Sequence, residues 1–178
     1  MASLSLDQSE TSKYIRFVGR FVGTSAASTA TMGPIRLKVN NIHVFYQVNT
    51  ILKHLVRTSE REDELMGFTS MEKAQIAQWM SFALKVMEKE QEESYFLQIM
   101  DNVLMNKTYM VSNHATLADA ALFWIVYKAL LDETKKSKYV NVLRWFYHMQ
   151  HTMGIRGSIY HPMLHIEVPE WRMMAAQE

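Results

Sequence analysis

The sequence predicts an α/β segment followed by an all-helical segment, and two patterns lead to this expectation. Between Ile35 and Tyr46, apolar and polar side chains alternate on both sides of Asn40-Asn41, a pair that tolerates positive φ and is typical of a β-hairpin turn. From Thr69 onward, apolar side chains recur at helical spacing in one segment after another. The 178 residues are enough to bury a substantial core.

The α/β segment is expected to contain two helices and a loop besides the hairpin. Apolar side chains at mixed helical spacing predict a short helix from Lys13 to Val22, after a polar stretch at residues 1–12. Gly, Ser, Thr and Ala at residues 23–33 favour a loop. Helical spacing returns from Gln47 to Thr58, and the charged residues 59–64 indicate a linker.

The helical segment begins with a capping box, in which Thr69 and Glu72 each bond the backbone N–H of the other residue. This first long helix is expected to reach Gln91. Further helices are predicted at residues 96–104 and 138–151, where apolar side chains again fall on one face.

The central helix is expected in the most apolar run of the chain, from Thr116 to Leu131. Thr116 and Asp119 have the spacing of a second capping box, so we interpret them as residues that determine the fold. A helix that is apolar on all sides is expected to be surrounded by other elements. A membrane span needs about 20 apolar residues, and Asp119 and Lys128 interrupt this run, so no membrane association is expected.

Composition excludes several classes of function. Cysteine is absent, which excludes disulfides, thiolate metal sites, iron–sulfur clusters and cysteine nucleophiles. The first ten residues show no basic start followed by an apolar core, so a cytoplasmic protein is expected. A net charge of +1 gives no reason to expect direct nucleic-acid binding, and the cluster Lys135, Lys136 and Lys138 is typical of a solvated loop.

Two pairs of histidines stand at helical spacing near the end of the chain. His161 and His165 are four residues apart, but no glutamate or third ligand accompanies them, so no metal site is expected. His148 and His151 share a face of the predicted 138–151 helix, where an interface role and plain solvation both stay open. No feature of the chain requires a cofactor.

The segment from Tyr139 to His151, followed by Gly154-Ile155-Arg156, resembles the elongation factor 1 epsilon family of multifunctional proteins that interact with the animal aminoacyl-tRNA synthetase complex. Ala77 to Met80 and Thr116 to Asp119 belong to the same match, and Asn49 to Val56 match more loosely. The resemblance implies a glutathione-transferase-like fold. Residues 1–64 would form a reduced thioredoxin-like domain and linker. Residues 65–178 would form an all-α domain like the C-terminal helical bundle of glutathione transferases, with a C-terminal tail.

Glutathione transfer to electrophilic small molecules is the alternative function, and the residues that transferases use for it are changed here. By alignment, the acidic-serine pair that holds the γ-glutamyl group falls on Gln47 and Val48, which supply neither carboxylate nor hydroxyl. The cis-proline position falls on Ile35. Tyr14 is a candidate thiol activator, but an apolar-face tyrosine of the first helix is the preferred interpretation, because nothing nearby suggests a lowered pKa. We therefore expect no enzyme activity and assign no catalytic residue.

The resemblance implies that the chain binds other transferase-like domains through two helical surfaces. One lies on the predicted 138–151 helix, where four polar residues have the i, i+3, i+7, i+10 spacing of one face. Arg144 would be its anchor, because a guanidinium stacks on planar groups and binds carboxylates in a bidentate manner. An intramolecular salt bridge of Arg144 to a neighbouring loop is the alternative. The second surface uses the helix after the hairpin and the first long helix. The candidates are Asn141, Arg144, His148 and His151 on one surface and Thr50, Lys53, His54 and Arg57 on the other.

The function implied by the resemblance is that of a non-catalytic scaffold of the multi-aminoacyl-tRNA synthetase complex in translation. Its expected partners are methionyl-tRNA synthetase, glutamyl-prolyl-tRNA synthetase and other transferase-like domains of that complex. The resemblance also implies a nuclear role in DNA-damage signalling beside the cytoplasmic one.

Overall fold

The computed structural model describes residues 2–24, 27–40, 42–130 and 132–152. Within these ranges it contains a four-stranded sheet and eight helices. The predictions for Asn41, Leu131, Gly154 to Arg156, the pair His161 and His165, and the C-terminal tail fall outside the described residues.

The strands are β1 (Ala2–Leu6), β2 (Ala27–Ala30), β3 (Arg36–Val39) and β4 (His43–Phe45). They form one sheet in the order β2-β1-β3-β4, in which β1 and β2 are parallel and the other two pairs are antiparallel. The predicted hairpin is confirmed, since β3 and β4 pair with Lys38 opposite Val44. Asn40 has a φ of 50°, in the left-handed region that asparagine tolerates.

Strands β1 and β2 correct the sequence prediction, which assigns a polar stretch to residues 1–12 and a loop to residues 23–33. In β1, Leu4 and Leu6 are buried while Ser3 is exposed, so a short alternating pattern was present in the sequence. β2 has the sequence ASTA, which has little strand preference. It becomes a strand through its parallel register with β1, in which Ser3 lies opposite Ala27.

The helices are α1 (Glu10–Val22), α2 (Val48–Arg57), α3 (Glu62–Met66), α4 (Ser70–Met87), α5 (Glu93–Leu104), α6 (Leu117–Ala129), α7 (Glu133–Lys138) and α8 (Val140–Thr152). Two short helices correct the prediction. α3 lies where a linker was expected and spans the predicted boundary between residues 64 and 65, and α7 contains the lysines assigned to a loop. α1 begins before Lys13, because the Ser9 hydroxyl accepts the N–H of Ser12 at 3.2 Å. α4 ends at Met87, short of Gln91.

Helix α6 is the centre of the core, as its apolar sequence predicts. Every residue from Leu117 to Val126 is buried, and α6 packs against α1, α4 and α8. Phe123 stacks between Phe17 of α1 and Phe146 of α8, with ring centroids 5.6 and 4.5 Å away. One continuous core therefore joins the α/β and helical parts. In the described part of the chain, no helix is both long and apolar enough to cross a membrane.

Candidate partner-binding surfaces

Helix α8 is held by its apolar face and by a cap that another helix supplies. Val142 and Phe146 are buried, and Phe146 stacks on Phe123 of α6. The cap is Asp101 of α5, whose Oδ1 accepts the backbone N–H groups of Asn141 at 2.8 Å and Val142 at 3.1 Å. N–H groups in the first turn of a helix have no internal acceptor, so Asp101 satisfies two of them. The α8 surface, defined as Asn141, Arg144, His148 and His151, is thereby fixed to α5.

Arg144 is exposed, and its guanidinium is anchored on one side only. Nη2 donates to the carbonyl oxygens of Leu104 and Lys107, the second at 3.0 Å. Because Leu104 ends α5, Arg144 also caps that helix. The contact is intramolecular, but its acceptors are backbone carbonyls and not a carboxylate. In the described structure Nε and Nη1 have no acceptor, so these N–H groups are available to a partner.

Two other members of the α8 surface make polar contacts inside the molecule. Asn141 is half-buried, and its Nδ2 donates to Asp101 Oδ2 at 2.9 Å. His148 is half-buried, and its Nε2 lies 3.0 Å from the Tyr109 hydroxyl. His151 is exposed in the last turn of α8. A partner would therefore reach Arg144 and His151 most directly.

The α2 surface, defined as Thr50, Lys53, His54 and Arg57, is more open at its two ends than at its centre. Thr50 and Arg57 are exposed, and Arg57 Nε lies 3.9 Å from Glu62 Oε1, a loose surface pair that a partner can displace at little cost. Lys53 and His54 are half-buried.

One polar contact beside the α2 surface links α2 to α4. Asn49 of α2 donates from Nδ2 to Ser81 Oγ of α4 at 3.5 Å. The His54 ring packs near Phe45 of β4, with centroids 6.0 Å apart. This hydrogen bond links α2 to α4 at one point, and a surface shared by the two helices stays a prediction.

The residues that would serve glutathione transfer do not fit that chemistry. Tyr14 is fully buried, and its hydroxyl has no hydrogen-bond partner among the described residues. Burial raises the pKa of Tyr14 above its ordinary value of 10, whereas a thiol activator needs a lowered pKa. Gln47 precedes α2 without a side-chain capping bond, and Val48 begins that helix. The two residues aligned with the transferase pair, Gln47 and Val48, therefore offer neither the carboxylate nor the hydroxyl that a γ-glutamyl group would need.

The lysines of α7 make contacts within the molecule. Lys135 forms an ion pair with Glu93 of α5, and the Glu93 carboxylate raises the pKa of that lysine. Lys138 lies over the Tyr139 ring, with Nζ 5.1 Å from its centroid. Among residues 2–24, 27–40, 42–130 and 132–152, no three His, Asp or Glu side chains are grouped as metal ligands.

Asp101 and Tyr109 are the residues of this region that sequence reasoning missed. Asp101 reaches Asn141 across 40 positions, and Tyr109 reaches His148 across 39 positions. Neither has a partner at helical spacing within its own segment that could have indicated the contact. The packing of α5, and of the loop after it, against α8 reveals their role.

Comparison with known proteins agrees with the fold and identifies the family. The family model described as nuclear-export cofactor Arc1p matches residues 72–153. Mouse eukaryotic translation elongation factor 1 epsilon-1 is 34% identical over 128 residues, which cover 69% of this chain and 73% of that protein. The bifunctional glutamate/proline–tRNA ligase of Drosophila melanogaster is 32% identical over 107 residues, which cover 60% of this chain and 6% of the ligase.

The solved structures show the fold. A possible glutathione S-transferase from Rhodopseudomonas palustris superimposes with a TM-score of 0.70 at 20% identity, covering 90% of this chain and 99% of that one. The predicted class is confirmed: a thioredoxin-like α/β part is followed by a helical part like that of glutathione transferases. Because the similarity to the mouse elongation factor covers most of both proteins, the chain belongs to the eukaryotic translation elongation factor 1 epsilon family.

Proposed function

We propose that the chain is a non-catalytic scaffold in translation, which holds transferase-like domains of aminoacyl-tRNA synthetases together. The partners we propose are methionyl-tRNA synthetase and glutamyl-prolyl-tRNA synthetase. An elongation factor and a tRNA ligase among the relatives support a role in translation. The similar region makes up 6% of the ligase, so a small part of a large enzyme resembles this chain. Similar folds readily present matching surfaces to one another.

Arg144 is the observation that carries this proposal. The carbonyl groups of Leu104 and Lys107 hold Nη2 and restrict the side chain before a partner arrives. An anchor that is already ordered loses less conformational entropy on binding. The remaining edge of the guanidinium, Nε and Nη1, can then bind a partner carboxylate or stack on a planar group.

The absence of enzyme activity is part of the same proposal. It is supported by the buried Tyr14 hydroxyl and by the apolar Val48 at the start of α2. Glutathione-agarose should not retain the pure protein, and conjugation of chlorodinitrobenzene should stay at background. Clear turnover would contradict the scaffold function.

We also propose a cytoplasmic location with a nuclear role in DNA-damage signalling, which cell fractionation before and after damage would test.

The interface test compares one variant on each surface, made in the 178-residue chain. Arg144→Ala should weaken binding of one synthetase domain by about 10- to 30-fold, the size of effect expected for an interface anchor. Binding of the other domain should not change. The double substitution Lys53→Glu with Arg57→Glu should produce the reverse pattern. Affinities would be measured by titration of each isolated synthetase domain.

Two controls separate binding from folding. Because Arg144 caps α5, thermal unfolding of Arg144→Ala must show that the variant is folded at the assay temperature. Arg144→Lys keeps the charge but loses the planar fork, so it should recover part of the affinity at most. If Arg144→Ala binds both domains as the unchanged chain does, Arg144 is not an interface residue.

A further inference from the structure

The charge of this protein is divided unevenly along the chain. Residues 11–59 contain seven lysines and arginines and not one aspartate or glutamate. The net charge of +1 hides this stretch, because four of the five residues from 60 to 64 are acidic. Residues 11–59 are therefore a basic stretch between acidic neighbours, and such a local asymmetry is compatible with an acidic partner for its exposed cations.

Two of these cations lie on a face of the sheet that no described helix covers. β2 and β3 are joined by residues 31–35, without a helix between them. Leu4 and Leu37 point into the core, whereas Ser3, Lys38 and Val44 form an exposed row across β1, β3 and β4. Arg36 is exposed in the next row, opposite Ser5. This outer face, defined as Ser3, Ser5, Arg36, Lys38 and Val44, combines cations with hydroxyl groups.

The cations of the outer face lack partners among the described residues. In the part of the chain that the structure describes, the side chains of Arg36 and Lys38 make no ion pair and no hydrogen bond. Some lysines and arginines of other regions do form ion pairs, for example Arg61 with Glu64, Lys128 with Glu10 and Lys135 with Glu93. Charge complementarity therefore predicts that carboxylates outside the described structure meet Arg36 and Lys38.

The edge of the sheet indicates which kind of molecule carries those carboxylates. β4 is the last strand of the sheet, and its outward backbone N–H and C=O groups have no strand beside them in the described structure. Edge strands are usually protected by charged side chains. Here Ile42, Val44 and Tyr46 are apolar or aromatic and are 77%, 39% and 58% exposed. An extended peptide can pair with such an edge and bury its apolar side chains.

Single-stranded RNA is a weaker fit to the same face. Sheets that bind RNA stack two or three bases on aromatic side chains. The outer face as defined contains no aromatic residue. Next to it, at the β4 edge, Tyr46 is exposed, and the neighbouring Ile42 and Val44 are aliphatic.

We propose that the outer face and the β4 edge bind an acidic, extended segment of a partner protein, which adds to the sheet beside β4. Its backbone pairs with β4, its apolar side chains cover Val44 and its neighbours, and its carboxylates bind Lys38 and Arg36. This site is separate from the α2 and α8 surfaces, because it lies on the other side of the sheet from α2. The site uses no residue of either surface, although its β4 edge adjoins α2, where Phe45 packs near His54.

The test is a fluorescence anisotropy titration of the full-length chain with a labelled peptide of alternating valine and glutamate. A peptide of alternating valine and glutamine serves as the uncharged control and should bind at least about tenfold more weakly. The variant Arg36→Gln with Lys38→Gln should lose about tenfold in affinity for the acidic peptide. The matched control is Arg16→Gln with Arg20→Gln, which removes the same charge from α1 and should change affinity less than about twofold. Equal losses in the two variants would overturn the proposal in favour of general charge attraction.

A second variant tests the edge itself. Val44→Lys adds a positive charge but removes apolar contact, so it should weaken binding of the acidic peptide. Tighter binding by Val44→Lys would show that charge alone is responsible and would overturn the strand-pairing assignment. In the unchanged chain, peptide binding should protect the backbone amides of β4 from hydrogen exchange, whereas unchanged exchange would contradict pairing at this edge.

Two further outcomes would assign the face to another occupant. If a uridine oligonucleotide binds more tightly than the peptide and loses affinity in the Arg36 and Lys38 variant, the face binds RNA. Glu167 and Glu170 lie in the C-terminal tail of the sequence. If Glu167→Gln with Glu170→Gln raises the affinity for the added peptide several-fold, these two residues compete with the peptide for the outer face. Either result would overturn the proposal of a partner segment.

Discussion

Two capping boxes in this protein share one sequence pattern and lie in opposite environments. Thr69 and Glu72 begin α4 at the surface, and Thr116 and Asp119 begin α6 in the core. Glu72 Oε2 accepts the N–H groups of Phe68 at 2.9 Å and Thr69 at 2.8 Å, and both are local contacts. Each box starts its helix where the pattern predicts it.

Asp119 makes the local contact and two distant ones. Its Oδ2 accepts the N–H and hydroxyl of Thr116, each at 3.0 Å. Its Oδ1 accepts the N–H of Met110 at 3.0 Å and the indole N–H of Trp145 at 3.1 Å. One carboxylate thus joins the loop before α6, the start of α6 and the middle of α8. The comparison shows that the pattern specifies where a helix starts. The surrounding structure determines how much the cap contributes to the free energy of unfolding.

Removing the buried cap should give the largest effect. Asp119→Ala leaves three buried N–H groups without their acceptor, at about 1–3 kcal/mol each before relaxation, so we expect a loss of about 3–5 kcal/mol. Urea unfolding at neutral pH measures it. Glu72→Ala is the matched control and should lose far less, since water replaces the exposed carboxylate. Equal losses would show that burial adds nothing to the cap.

The bond from Trp145 should account for a smaller part of this loss. Trp145→Phe keeps an aromatic ring but removes the indole N–H, and we expect a cost of about 1–2 kcal/mol. A double-mutant cycle with Asp119→Asn isolates the pair from the packing change. We expect the two substitutions together to cost less than the sum of their separate costs. Strict additivity would mean that the contact between α6 and α8 carries no energy.

Acid titration should give the smallest effect. The stability that Glu72 contributes should fall on acidification, whereas the stability that Asp119 contributes should rise. The backbone N–H of Thr69 is the main cause that lowers the pKa of Glu72 below its ordinary 4.5. The stability that Glu72 contributes is therefore present above that value and is lost as the pH falls through the lowered folded-state pKa. Burial raises the pKa of Asp119 above its ordinary 3.8. The contribution of Asp119 therefore declines as the pH rises through that raised pKa.

The measurement is urea unfolding of Glu72→Gln and Asp119→Asn at several values between about pH 3 and about pH 7. Glu72→Gln should lose stability less steeply on acidification than the unchanged chain. Asp119→Asn should lose it more steeply, because it lacks the group whose contribution grows in acid. Changes of the same sign in both variants would contradict the difference in environment.

Local patterns predicted the parts of the fold that depend on neighbouring residues. The hairpin, both capping boxes and the apolar α6 follow from spacing within a few turns or strands. β2 could not be found in this way, because its ASTA sequence becomes a strand only beside β1. β1 could have been found, since Leu4 and Leu6 alternate with serines, but the stretch is short.

In the candidate surfaces too, features set by neighbouring residues could be predicted and features set by distant residues could not. The spacing of the α8 surface could be read from the sequence, because it depends on the helical period. The sequence could not reveal that Asp101 holds Asn141 or that backbone carbonyls hold Arg144, because these contacts join α5 to α8 across about 40 positions. The half-burial of Asn141 accompanies its contact with Asp101, and that of His148 accompanies its contact with Tyr109.

The cap that Asp101 provides has a consequence for attempts to copy the binding helix. A synthetic peptide with the sequence of α8 would lack the carboxylate that satisfies the N–H groups of Asn141 and Val142. It would also lack the carbonyl groups of Leu104 and Lys107 that orient Arg144. Such a peptide would fray at its first turn and present a freely rotating arginine. An effective mimic has to include α5 and the chain after it as far as Lys107, so the smallest transferable unit of this surface is α8 together with that segment.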